Sequence, residues 1–126
     1  MKKLTPIKNK AWKAFSAYVR RFNADDFGIV ECVTCKVKKH WKEMQAGHFI
    51  GGRNNAILFE EKATHPQCYG CNIGKKGNYV EYYVFMLDKF GQGVIDELRL
   101  QAKKTVKYYY EDYERIFNMY KSWLKE

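Results

Sequence analysis

The sequence predicts an α+β fold, mostly helical by residue count, with a small irregular centre held between N-terminal and C-terminal helices. Three observations predict it. Apolar residues recur at helical spacing at both ends, two closely spaced cysteine pairs mark the centre, and short apolar pieces broken by glycines lie between those pairs. At 126 residues, with 46% hydrophobic and 17% aromatic content, one domain over 1–126 is expected to bury roughly two thirds of its unfolded surface. No repeat, low-complexity tract or linker divides it.

Trp12, Phe15, Val19 and Phe22 recur at helical spacing and predict an amphipathic helix over 8–23, stopped by Asn23-Ala24-Asp25-Asp26 before Gly28. From 29 to 78 the pattern changes. Paired cysteines, the Gly51-Gly52 turn and pieces such as Ala56-Ile57-Leu58-Phe59 predict small strands joined by loops. Helices return over 79–126. One should run from Tyr79 to Phe90 and end at Gly91, and a short one should follow near 93–100. Val106, Tyr109, Tyr113, Phe117, Tyr120 and Leu124 then describe an apolar stripe on a helix of about twenty residues. Core packing is the plain reading of that stripe, with a dimer surface or a base-stacking surface as alternatives.

The chain carries 23 Lys and Arg against 14 Asp and Glu, a net charge of +9, which makes a polyanion such as nucleic acid a natural partner. A zinc ion on four thiolates would lower this only to about +7. No apolar run approaches the roughly 20 residues of a membrane span, and Met1 to Lys10 is basic with no apolar stretch behind it. A soluble, unsecreted, cytoplasmic protein without membrane partners is therefore expected. In that compartment the four cysteines should be reduced.

Cys32-Val33-Thr34-Cys35 and Cys68-Tyr69-Gly70-Cys71 are two C-x2-C pairs with 32 residues between them. Each pair can wrap a tight turn around one tetrahedral ion, so Cys32, Cys35, Cys68 and Cys71 are expected to bind Zn²⁺. Four thiolates leave no open coordination position. The site should be structural, fastening two loops that a small core could not hold alone.

Between the knuckles lies Gln45-Ala46-Gly47-His48-Phe49-Ile50, and after the last cysteine comes Asn72-Ile73-Gly74-Lys75-Lys76-Gly77-Asn78. This arrangement resembles the HNH nuclease family, with its zinc-centred ββα-metal, treble-clef-like core. The resemblance implies a base at His48 and a divalent-metal ligand at Asn72. Such a pair has a chemical reason: hydrolysing a phosphodiester needs a base to activate water and a cation to neutralise charge building on phosphate and leaving oxygen. An imidazole suits the first task, and an uncharged oxygen donor suits Mg²⁺ or Mn²⁺ held mainly by substrate phosphate. His40 is read as structural.

A closer resemblance, covering nearly the whole chain, is to the NinG or Rap recombination proteins of lambdoid phages. Phe15-Ser16-x-Tyr18-x-Arg20, Cys32-Val33-Thr34-Cys35, Ala46-Gly47-His48-Phe49, His65-Pro66-Gln67-Cys68-x-x-Cys71-Asn72 and Gly77-Asn78-x-x-x-Tyr82 carry it in order. It implies cleavage of branched DNA in phage recombination, in the bacterial host cytoplasm if the chain is phage-encoded. The wider HNH pattern often has Asp or His as a metal ligand before the base, where this chain has Gly47, so another group must complete the site. His65 and Asn78 are the candidates, with structural hydrogen bonding as the alternative for both.

Lys75 and Lys76 follow Asn72 by three and four residues, so on a helix they would share its face and approach phosphates. Arg53 could do so from its loop. Lys38 and Lys39, with Lys36 and Lys42 around Trp41, read as backbone contacts without sequence readout. The leading expectation is a metal-dependent DNA endonuclease acting on branched or recombination-intermediate DNA. The runner-up is a non-catalytic zinc DNA-binding module in recombination or packaging, and the third an interaction domain whose aromatic C-terminal helix recruits a partner. A homodimer and recombination proteins are further candidate partners.

Overall fold

Helix α1 (Leu4–Arg21) begins four residues earlier than the periodicity suggests, because Leu4, Pro6 and Ile7 extend the same helix toward the N-terminus. A computed structural model describes residues 3–52 and 54–125 of the chain, so Arg53 lies outside the described residues. After α1, the Asp25 carboxylate accepts the N–H groups of Phe27 and Ile29 and turns the chain, as the Asn-Ala-Asp-Asp cluster predicts.

Two antiparallel hairpins form the centre. Strands β1 (Ile29–Glu31) and β2 (Lys38–His40) pair as Ile29↔His40 through Glu31↔Lys38, with Cys32 and Cys35 in the turn between them. Strands β3 (Gln45–His48) and β4 (Thr64–Gln67) pair as Gln45↔Gln67 through His48↔Thr64, which brings Cys68 back beside the first knuckle. The strand expected around Ala56-Ile57-Leu58-Phe59 is instead a one-turn helix, α2 (Asn55–Leu58). Its cause is local: the Asn54 side chain caps the turn by accepting the Ala56 N–H at 3.0 Å, and Ile57 and Leu58 go fully inside.

Helix α3 (Tyr79–Phe90) ends at Gly91, which takes a left-handed φ of 87°, and α4 (Gln92–Ala102) follows directly. Helix α5 (Tyr110–Leu124) is shorter than the apolar stripe predicts. Val106 and Tyr109 lie outside it because the Asp112 carboxylate accepts the Tyr109 N–H at 2.8 Å and starts the helix there.

The structure is thus mixed α/β with helix predominating. Tyr113, Ile116 and Tyr120 of α5 pack on Ile7, Ala11, Ala14 and Phe15 of α1, so most of the aromatic stripe is core. Burying a side chain such as Phe15, which is fully enclosed, contributes about 1.5–3 kcal/mol. A second cluster joins Phe49, Ile57 and Ala63 to Tyr82 and Met86 of α3 and to Ile95 and Leu98 of α4. A third surrounds the cysteines with Val30 and Met44. Between them, α1 lies against the β3–β4 hairpin. Among the described residues no helix is long and apolar enough to cross a membrane.

Candidate metal centre and adjoining cleft

The two knuckles bring the sulfurs of Cys32, Cys35, Cys68 and Cys71 within 4.8 Å of one another. Zn–S bonds of about 2.3 Å in a tetrahedron would put sulfurs roughly 3.8 Å apart, and Cys35 Sγ and Cys68 Sγ stand at 3.6 Å. Thiolate acceptors are served by their surroundings: the Cys71 N–H donates to Cys68 Sγ at 3.4 Å and the Asn78 amide to Cys71 Sγ at 3.5 Å. The Thr34 hydroxyl lies 3.3 Å from Cys32 Sγ. Burial raises the Cys32 thiol, but hydrogen bonds from Thr34 and from backbone N–H groups outweigh it and bring it down to about 6. The Val37 N–H lowers Cys35, yet burial and the other three sulfurs hold it up at about 12. Ionising all four together therefore calls for a cation, and the donor set and spacing fit zinc.

Around Cys71 the chain forms a wide five-residue turn, Gly70–Gly74, rather than the start of an α-helix. Its hydrogen bonds explain this. Asn72 N–H still reaches the Cys68 carbonyl four residues back, but Lys75 N–H reaches the Gly70 carbonyl five back and Gly77 N–H the Cys71 carbonyl six back, all at 2.8–2.9 Å. Lys76 and Asn78 then take left-handed φ values of 50° and 47°, which delay α3 until Tyr79. The shared helical face expected for Asn72, Lys75 and Lys76 accordingly does not form.

A cleft of about 590 Å³ opens beside the metal centre, lined by His48 of β3, Asn72 of the turn and Lys76 just after it, Gly51 and Gly52, and Trp12, Ser16 and Arg20 of α1. The structure thus brings His48 and Asn72 to one cavity. His48 Nε2 sits 3.1 Å from the Leu58 carbonyl, which can only accept, so Nε2 carries a proton and Nδ1 is the acceptor nitrogen of the neutral ring. Trp12 stacks on the imidazole with centroids 5.3 Å apart and planes 22° from parallel. Asn72 donates its amide to Gln45 Oε1 at 2.6 Å, which assigns its oxygen as an acceptor.

His65 and Asn78 are not brought to the cleft. His65 is buried against Phe85 and Phe90 of α3, and its Nδ1 lies 3.2 Å from the Tyr82 hydroxyl. Burial, aided by Lys89, pushes its pKa down to about 3, so the ring is neutral. Tyr82 gives its own proton to the Gly47 carbonyl at 2.7 Å, so His65 Nδ1–H is the donor to Tyr82. Asn78 serves the sulfur of Cys71 and begins α3. Lys38 and Lys39 are exposed on β2, away from the cleft lining, as is Lys75 on its turn. His40 accepts the Lys42 N–H through Nδ1 at 3.2 Å, a local structural bond.

Trp12, Ser16 and Arg20 were not legible as site residues from their types alone. Their spacing of four is the signal: it puts one helix face toward the cleft while Ile7, Ala11 and Phe15 face α5.

The family model described as "NinG: Bacteriophage Lambda NinG protein" matches residues 1–126. The chain belongs to the NinG family. It is 31% identical over 93 residues to the NinG protein of Escherichia phage lambda, covering 71% of this chain and 42% of that one. The NinG protein of Escherichia phage 933W matches with the same identity and coverage. That of Salmonella phage P22 is 29% identical over 99 residues, covering 75% of this chain and 45% of the relative. The chain therefore spans less than half the length of these NinG relatives. No solved structure matches it.

Proposed function

We propose that the chain is a zinc-stabilised, metal-dependent endodeoxyribonuclease of the HNH, ββα-metal type that hydrolyses phosphodiesters in branched DNA. The observation that carries this reading is that His48 and Asn72 line one cleft, Asn72 directly following Cys71 of the cysteine cluster. Net charge of +9 supports a polyanionic substrate.

His48 acts as the base. With Nε2–H held by the Leu58 carbonyl, Nδ1 takes a proton from water as the water oxygen bonds to phosphorus and the opposite phosphorus–oxygen bond breaks. Trp12 fixes the imidazole plane. The Asn72 oxygen would hold Mg²⁺ or Mn²⁺, with Gln45 fixing the amide. When bound, that cation stabilises charge on the phosphate and the leaving oxygen. Among the described residues no carboxylate lines the cleft, which fits an ion that keeps several waters and is held mainly by substrate phosphate.

That same lack of a carboxylate favours the second reading, a zinc module that binds DNA in recombination or packaging without cutting it. The two separate on a panel of linear, flapped and four-way DNA incubated with and without Mg²⁺ or Mn²⁺. The nuclease reading expects metal-dependent strand cleavage, greatest on branched substrates. Binding to every substrate with no product under either cation would leave only the second.

A further inference from the structure

We infer that Arg20, reaching in from α1, grips a DNA phosphate in the cleft that it lines together with His48 and Asn72. The inference rests on the reading that this cleft receives DNA.

Arg20 is half-buried, lines the cleft with His48 and Asn72, and is already fixed. Its Nε–H is shared by the Ser16 carbonyl and hydroxyl, each at 3.1 Å, and Nη1 donates to the Trp41 carbonyl at 3.3 Å. The guanidinium also lies over the Trp41 ring, 5.1 Å from its centroid. These bonds take two of five N–H groups and leave three donors on a planar fork whose geometry suits the oxygens of a phosphodiester. No described carboxylate forms an ion pair with it. Burial alone lowers its pKa, with no acidic group opposing.

A half-buried cation without a carboxylate partner gains from a ligand that supplies the opposite charge. A cleft with two cations, Arg20 and Lys76, and no described carboxylate selects an anion. Lys76 is an exposed point charge on a long stem, whereas Arg20 is held in place by Ser16 and Trp41 before any ligand arrives.

The test is equilibrium binding of duplex and four-way DNA to the zinc-loaded full chain over a salt series, without added Mg²⁺ or Mn²⁺. Arg20→Gln is compared with Lys13→Gln, which removes the same charge from an exposed position of α1 outside the cleft lining. Arg20→Gln should flatten the slope of log affinity against log salt by about 0.9, the value of one lost phosphate contact, and Lys13→Gln should leave it unchanged. Equal slopes in the two variants overturn the inference. If Arg20→Gln loses zinc or melts early, Arg20→Lys replaces it: that variant should keep the slope and bind about three- to tenfold more weakly, and affinity equal to the parent's overturns the inference. A parent chain that binds DNA but never cuts it would sink the nuclease reading and leave this contact standing. Cleavage by the parent with an unaltered slope in Arg20→Gln would do the reverse.

Discussion

Gln67 of β4 fills the volume that any side chain at Gly47 of β3 would need: a Cβ at position 47 would overlap Gln67 Oε1. The Gln67 amide nitrogen donates to the Thr34 hydroxyl at 3.2 Å and the Gly77 carbonyl at 2.9 Å, so the side chain cannot swing aside cheaply. Its oxygen is buried without a hydrogen-bond partner against the Gly47 backbone. This explains why no Asp or His precedes His48. The glutamine instead ties Thr34, next to Cys32, to Gly77 on the cleft wall.

Gly47→Ala should therefore destabilise the chain by about 1–3 kcal/mol through overpacking. In a Gln67→Ala background the same change should cost less than half as much. Urea unfolding of the four proteins reads the coupling, and additive effects would show that the two residues do not compete for space.

Removing a thiolate should unfold the centre. Cys68→Ser should lose zinc and most of its tertiary structure, since binding of an ion by four thiolates would be linked to folding. Metal content and near-UV circular dichroism report it. Normal zinc and an unchanged melting temperature in Cys68→Ser would contradict the four-sulfur assignment.

His65 gives the fold an acid-sensitive element. Its pKa falls from the ordinary 6.5 to about 3 on folding, so between those values the unfolded chain binds the extra proton. Stability from this group is complete above pH 6.5 and declines as pH falls toward 3, by on the order of 5 kcal/mol in total. His65→Gln, which keeps an N–H for Tyr82, should lack that share of the decline. Thiolate protonation weakens both proteins in acid, so the comparison is the difference in urea midpoint between them at pH 7 and pH 4.5. An equal decline in both would mean that the imidazole is protonated inside the fold.

Asn72→Ala should raise the Mg²⁺ concentration for half-maximal cleavage by about tenfold, with zinc content unchanged. Gln45→Ala should produce a smaller shift in the same direction because it only orients the amide. An Asn72→Ala chain with the parent's metal dependence would place the cation elsewhere.

The sequence announced the helices and the cysteine pairs because periodicity and spacing are local properties. Phe90-Gly91 ended α3 as read, and the two knuckles met as read. What it hid depends on tertiary contacts. Ala56 to Phe59 is apolar enough for a strand, but the Asn54 cap and packing under α4 wind it into a turn of helix. Asn72 looked like the first turn of an α-helix, but the Lys75 and Gly77 N–H groups reach back five and six residues to the Gly70 and Cys71 carbonyls and widen the turn. His65 lies one residue from Pro66 in a motif-rich stretch, yet pairing opposite Gly47 delivers its ring to the α3 core. Trp12 and Arg20 reach the cleft only because α5 claims the other face of α1.

The most direct measurement is the single-turnover rate of four-way junction cleavage by the zinc-loaded parent and His48→Ala at saturating Mg²⁺. A base acting through Nδ1 predicts a fall of about 10²–10⁴-fold in the variant, with junction affinity and zinc content preserved. Equal rates in the two proteins would contradict the role of His48 and, with it, the chemistry assigned to the cleft.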